Sequence, residues 1–184
     1  MLSISTALPA LRQCFLSDRT RSAEWRVQKL KALREALLGH EHEIYEALYA
    51  DLHKPREEAY VTELGIVLEE IKLALKNLRR WMRPEKVSTN LLNFPSSSFI
   101  IKEPRGVVLI IAPWNYPFML LMGPLVGAVA AGNTVVLKPS EWAPVTATVM
   151  RKITEQVFDR DEALYIEGDG AVVVPEMMSG FRFD

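Results

Sequence analysis

Asn115, Lys138, Ser140 and Glu141 are the polar side chains that interrupt or directly follow a stretch, Gly106 to Leu137, in which no residue is charged at neutral pH. The Asn115 amide donates two hydrogen bonds without changing its charge. That suits a carbonyl oxygen turning negative as a nucleophile adds to its carbon. Asparagine is also a common helix cap, and on spacing alone the two roles weigh equally. Lys138 and Glu141 flank Pro139 and Ser140, so the backbone turns sharply and both charged heads are free to face the space above a strand tip. A surface lysine followed by a glutamate before a helix is the bland reading of that corner.

The elements around these residues explain why they stand where they do. Val107 to Ala112 is apolar and β-branched, as a buried parallel strand is. Pro113 ends it, Asn115 falls in a turn, and Pro117 suits the first turn of a helix through Phe118, Leu121, Leu125 and Val129 to Ala131. Gly132 and Asn133 stop the helix, and Thr134 to Leu137 is a second strand delivering Lys138 at its carboxyl end. The unit is a right-handed βαβ crossover, and in such sheets ligands bind outside the carboxyl ends of the strands. A membrane span is the rival reading of so long an uncharged run. Pro113, Pro117 and Pro124 divide it, and a helical piece of about 14 residues reaches only about 21 Å across a hydrocarbon core about 30 Å thick.

Upstream, Trp25, Leu30, Leu33, Leu37, Ile44 and Leu48 form one apolar stripe on a long helix, or on a helix bent near Gly39. Pro55, Glu57 and Glu58 open the next helix, with Tyr60, Leu64, Val67, Ile71, Leu75, Leu78 and Met82 at a 4-3-4 spacing until Pro84. These two helices are expected to pack as an antiparallel pair against the sheet domain. Val87 to Phe94 reads as irregular, and Phe99 to Ile101 as a short strand that is either an edge of the same sheet or a separate β segment. Downstream, Pro144 opens a helix carrying Val145, Val149, Ile153 and Val157. Leu164 to Ile166 is a brief third strand, and Gly168, Asp169 and Gly170 turn into a last helix that Pro175 starts or distorts.

The chain has 184 residues, 49% hydrophobic and 24% charged, with a net charge of −1, which fits an ordinary folded domain and no nucleic-acid footprint. Its one cysteine, Cys14, has no internal disulfide partner and no neighbouring base, so it reads as a packing residue in a reducing compartment. His40, His42 and His53 do not cluster, so no metal site is expected. The leading residues lack a secretory pattern, and a cytoplasmic location is the default.

Taken together, Glu103-Pro104-Arg105-Gly106, the Pro113 to Pro117 turn, Ala131-Gly132-Asn133-Thr134 and Lys138-Pro139-Ser140-Glu141 resemble the aldehyde dehydrogenase superfamily. Asp51-Leu52-His53-Lys54 and Tyr60 to Leu78 resemble its class 3, fatty-aldehyde-type branch, and the likeness runs from about Ala23 to Asp184. The resemblance implies an α/β fold: an N-terminal helical part (1–84), a β segment of the subunit-pairing region (85–105) and the first βαβαβα portion of a Rossmann-like cofactor domain (106–184), with helices on both faces of an incomplete parallel sheet. It implies NAD(P)-dependent oxidation of medium or long-chain aldehydes to acids, with NAD favoured and NADP the alternative, and a homodimer.

The same resemblance makes Asn115 the oxyanion donor and puts Lys138 and Glu141 on the adenosine ribose. Trp114 would line the nicotinamide side and Tyr116 the substrate side. Ile111 and Ala112 would offer backbone contacts, and Ser140 and Gly168 would border the cofactor. No G-x-G-x-x-G fingerprint is present, and the family reads its dinucleotide without one. The family's glutamate base and cysteine nucleophile have no counterpart among these residues, so the chain alone is expected to be inactive, with the Val107 to Ala112 edge exposed and prone to self-association. The competing class is a non-catalytic nucleotide-binding or partner-binding module.

Overall fold

The computed structural model describes residues 4–184. A parallel three-stranded sheet lies at the centre, built from β3 (Val107–Ile111), β4 (Thr134–Lys138) and β5 (Ala163–Tyr165) in the order β3-β4-β5. Ile111 pairs with Lys138, so the tips of β3 and β4 lie side by side. Alternate residues feed two cores. Ile110, Val135 and Leu137 join α6 (Met119–Ala131), α7 (Pro144–Val157), α2 (Ala23–Gly39), α3 (Glu41–Leu52) and α5 (Gly65–Trp81) on one side. Val107, Val136 and Ile166 join α1 (Ile4–Leu16) and α8 (Gly170–Gly180) on the other. Helices therefore cover both faces, as the α/β reading requires. No helix is long and apolar enough to cross a membrane among the described residues.

The joint between α6 and β4 shows how local chemistry fixes the register. Gly132 sits at φ 90°, a left-handed conformation that ends the helix, and a Cβ there would lie 2.6 Å from the Arg26 guanidinium. Arg26 is buried and donates to the carbonyls of Ala130, Thr20 and Arg21, meeting the negative end of α6. The Asn133 carbonyl oxygen accepts from the main-chain N–H groups of Arg105 (2.7 Å) and Gly106 (3.0 Å), which clamps the start of β3 beside β4.

The first apolar stripe divides at His40 into α2 and α3, the bend near Gly39 that was one of its two readings. Other elements depart from expectation. Helix α6 begins at Met119, two residues beyond Pro117. Strand β1 (Glu85–Val87), which went unread and shares only Val87 with the segment read as irregular, pairs antiparallel with β2 (Ser98–Ile100) in a sheet of their own, which rules out an edge strand of the main sheet. On α7 the buried face is Thr146, Ala147, Met150, Ile153, Thr154 and Val157, while Val145 is exposed. The buried threonines hid that face from a count of apolar residues. Helix α1 went unread altogether. It packs on the sheet through Leu8 and Leu11.

The departure with most consequence lies between α4 (Arg56–Ala59) and α5, where Tyr60–Leu64 forms a π-helical turn closed by the Gly65 N–H on the Tyr60 carbonyl. A π turn inserts one residue into the helical period. The insertion moves Tyr60 out to solvent, against the 4-3-4 reading, and brings Glu63 to full burial beside Leu64. Gly65 permits it, because a Cβ there would stand 2.7 Å from the Tyr60 carbonyl oxygen. Gly65→Ala is therefore expected to destabilise the protein by about 1–3 kcal/mol through overpacking. A lower urea midpoint at unchanged slope checks this, and an unchanged midpoint would contradict it.

Candidate active site

Three helices start at the carboxyl ends of the strands or beside them, and two of them, α6 and α7, take no cap from the residue that precedes them. Phe118 and Ala143, the residues before α6 and α7, carry no oxygen in their side chains. The orphan N–H groups that every helix start leaves must then find partners elsewhere. Glu63 Oε2 accepts from the N–H groups of Phe118 (3.0 Å) and Met119 (2.9 Å). The Asp51 carboxylate accepts from those of Val145 (3.2 Å) and Thr146 (2.7 Å). Glu141 Oε1 accepts from Gly170 N–H (2.9 Å) at the start of α8, where Asp169 also accepts from Ala171. The reading from sequence missed Glu63, its partner Lys54, and Asp51 as site-building residues. The signal that could have found them is the absence of Ser, Thr, Asp or Asn just before α6 and α7.

Two clefts open at this end. The first, of about 290 Å³, is lined by Leu52, His53, Lys54, Glu58, Trp114, Asn115 and Tyr116. Among the described residues the Asn115 side chain makes no hydrogen bond, and the cap it was weighed against is supplied by Glu63. Trp114 is 55% exposed and Tyr116 is held at φ 53°, an unusual left-handed conformation for a bulky residue. Lys54 Nζ lies 3.9 Å from the Tyr116 ring centroid and 2.5 Å from Glu63 Oε1. An amide donor and two aromatic faces thus share one opening, with a cation bordering it.

The second cleft, about 240 Å³, is lined by Pro139, Ser140, Glu141, Pro144, Ala147, Thr148, Glu167 and Gly168. Ser140, Glu141 and Gly168 come together as the sequence placed them. Lys138 does not open into it. Its side chain is 2% exposed, and its Nζ donates to the Pro139 carbonyl (2.6 Å) and to Glu141 Oε2 (3.0 Å). A buried ammonium needs such acceptors, and the adjacent carboxylate captures it. Asn115 and Lys138 therefore extend from neighbouring strand tips, but only Asn115 lines a cleft, while Lys138 is buried. Ala112 N–H is spent on the Lys138 carbonyl (3.0 Å). By alternation along β3, the main-chain groups of Ile111 face the free edge of the sheet.

Cys14 is buried, receives a hydrogen bond from Arg19 (3.0 Å) and borders neither cleft; burial pushes its thiol pKa up. Among the described residues no group of three or more His, Cys, Asp or Glu is placed to hold a metal ion.

The chain is similar in sequence and fold to known proteins. The profile described as "Aldehyde dehydrogenase family" matches residues 3–184. The chain belongs to the aldehyde dehydrogenase family. It is 50% identical over 92% of its length to an aldehyde dehydrogenase of Craterostigma plantagineum, and covers 34% of that protein. It is 48% identical over 89% of its length to aldehyde dehydrogenase family 3 member H1 of Arabidopsis thaliana, again covering 34% of the relative. In structure it is similar to AldH of Staphylococcus aureus, solved in a substrate-bound state, with a TM-score of 0.89 at 44% identity over 92% of this chain and 37% of that one. The chain spans about a third of the length of the curated relatives it matches. The class 3 likeness therefore holds, and this aldehyde dehydrogenase chain starts its likeness at residue 3, well before Ala23.

Electrostatics single out the second cleft. The Gly170 main-chain N–H, then Glu141's own N–H and the Lys138 ammonium, hold the Glu141 carboxyl down at about 2. A carboxyl depressed in the folded state adds stability that is complete above its unfolded value of 4.5 and is lost as pH falls toward 2. The stability gap between the native chain and Glu141→Gln, from urea titrations, is thus expected to be larger at about pH 6 than at about pH 3. A gap that widens on acidification would contradict this ion pair.

Proposed function

We propose that the chain forms the cofactor-domain portion of an NAD(P)-dependent enzyme oxidising aliphatic aldehydes to carboxylic acids. The observation carrying this reading is Asn115, whose side-chain amide makes no hydrogen bond among the described residues and borders an opening with Trp114 and Tyr116. Such a preorganised neutral donor is what a developing oxyanion needs. Asn115 would donate to the aldehyde oxygen as a thiolate adds to the carbon, and Tyr116 and Trp114 would exclude water around it. The attacking thiolate is not Cys14, which stands apart from the cleft.

The second cleft fits the adenosine ribose of NAD. Glu141 remains partly exposed and keeps acceptor lone pairs beyond those used by Gly170 and Lys138. A nicotinamide cofactor, when bound, supplies the hydride acceptor. Glu141 would accept from ribose hydroxyls and repel a 2′-phosphate, favouring NAD over NADP. Lys138 would act through Glu141 by fixing it in its ionised form, Ser140 and Gly168 would border the nucleotide, and Ile111 and Ala112 would pass beside it. The three-part division at residues 84 and 105 belongs to the same proposal, as does a homodimer formed through the β1–β2 arm, where Leu91, Leu92, Phe94, Phe99 and Ile100 are exposed. A cytoplasmic location completes it.

Calorimetric titration with each cofactor tests the nucleotide part: NAD is expected to bind more tightly than NADP, and Glu141→Gln to narrow the difference. Equal affinities would remove the proposed preference. In a protein carrying the complete site, Asn115→Ala is expected to lower kcat for an aliphatic aldehyde about 10²- to 10³-fold, the cost of about 2.7–4 kcal/mol for one oxyanion donor. An unchanged kcat would overturn the role of Asn115.

A further inference from the structure

The first cleft holds a buried ion pair that the oxyanion reading does not use. Glu63 is fully buried, delivered inward by the π turn, and its two oxygens divide their work. Oε2 takes the N–H groups of Phe118 and Met119, at 3.0 and 2.9 Å, while Oε1 takes Lys54 Nζ at 2.5 Å. The same ammonium lies 3.9 Å from the centroid of the Tyr116 ring, within cation–π range. Tyr116 is the residue at φ 53°, directly between Asn115 and the helix whose first N–H groups Glu63 holds. A bulky residue stays in that region only where its surroundings over-determine it. The ring contact and the fixed helix start supply that constraint, helped by the Leu120 N–H on the Tyr116 carbonyl (3.0 Å).

We propose that Lys54 and Glu63 are positioning residues for Asn115: together they lock Tyr116 in its left-handed conformation and so set where the neighbouring amide points. The inference rests on the aldehyde-oxidation reading for its consequence, since an oxyanion donor must lie within about 2.7–3.1 Å of the developing charge. The local geometry stands without that reading. Lys54 thereby links the class 3-like Asp51 to Lys54 string to the Pro113 to Pro117 turn, two segments distant in sequence that meet at one ring.

Nuclear magnetic resonance of the 184-residue chain, with the Asn115 side-chain amide and the Tyr116 ring assigned, tests the proposal. In Glu63→Gln, the amides of Phe118 and Met119 are expected to exchange about 10- to 100-fold faster, as a charge-assisted acceptor is weakened. In Lys54→Met, the Tyr116 ring and Asn115 amide signals are expected to shift and broaden while those of Val135 to Leu137 stay in place. Lys54→Arg, which keeps a cation over the ring, is expected to restore them toward native positions. If Lys54→Met fails to fold with its lone buried carboxylate, the double variant Lys54→Met/Glu63→Gln leaves no unpaired charge and carries the same expectation for Asn115 and Tyr116.

Unchanged Asn115 and Tyr116 signals in a folded variant lacking Lys54 would overturn the proposal and reduce the pair to a cap for α6. Failure of Lys54→Arg to restore them would overturn the cation's part in it. The readout is conformation and not turnover. An Asn115→Ala enzyme with full kcat would therefore sink the functional reading while leaving this result to stand or fall separately.

Discussion

A carboxylate buried without contact with water is the constraint from which the site end of this protein follows. Removing a charge from water costs several kcal/mol even after the protein relaxes, and the cost is met only if every lone pair finds a donor. Glu63 meets it with one ammonium and two main-chain N–H groups. Each partner has structural requirements of its own. Lys54 must follow directly on His53, whose left-handed φ of 54° ends α3 and turns the chain inward. The carboxylate must come from a helix with one residue too many per turn, which requires Gly65. The N–H groups must belong to a helix starting at Met119, which fixes the loop carrying Asn115. A helix, a corner and a loop far apart in sequence are thus held to one point.

The same device recurs at the other helix starts, with a consequence for ligands. Glu63, Asp51 and Glu141 place negative charge on the positive ends of α6, α7 and α8. In glycine-rich nucleotide folds those ends are left open and cradle phosphate. Here they are already neutralised, so a pyrophosphate gains little by approaching them. On the proposed reading, polar recognition would fall instead to side chains such as Glu141 and Ser140 and to the exposed rim of the cleft. The missing G-x-G-x-x-G fingerprint and the carboxylate caps are two sides of one arrangement.

Much of the sheet was legible in the sequence because its signals are local. Val107 to Ile111 and Thr134 to Lys138 announce themselves by β-branched runs, and Gly132 by the left-handed turn it must make. The bend after Gly39 and the start of α7 at Pro144 are equally local. What escaped depends on contacts between distant segments. The π turn obeys no 3.6-residue period, so Tyr60 was counted into a stripe it leaves. Lys138 was read as an open ammonium, but a neighbouring carboxylate and a carbonyl draw it inside. The residues that build the first cleft, Lys54 and Glu63, lie more than fifty positions from the loop they hold. Type and spacing left Asn115 between a helix cap and an oxyanion donor, and gave no sign of the residues that hold its loop.

The two clefts are adjacent by construction. The Ala112 N–H on the Lys138 carbonyl joins the last ladder position of β3 to the last of β4. Immediately beyond that bond the chains diverge, one into the loop anchored by Glu63 and the other into the corner anchored by Glu141. Neither loop has freedom at its base, because each departs from a paired strand and returns into a helix whose first N–H groups are bound by a carboxylate from elsewhere, Glu63 for α6 and Asp51 for α7. On the proposed reading, two groups held at fixed separation, with little conformational entropy left to lose, would help bring separate molecules together. The rigidity resides in the caps, so the exposed side chains between them could vary in shape without disturbing the sheet beneath.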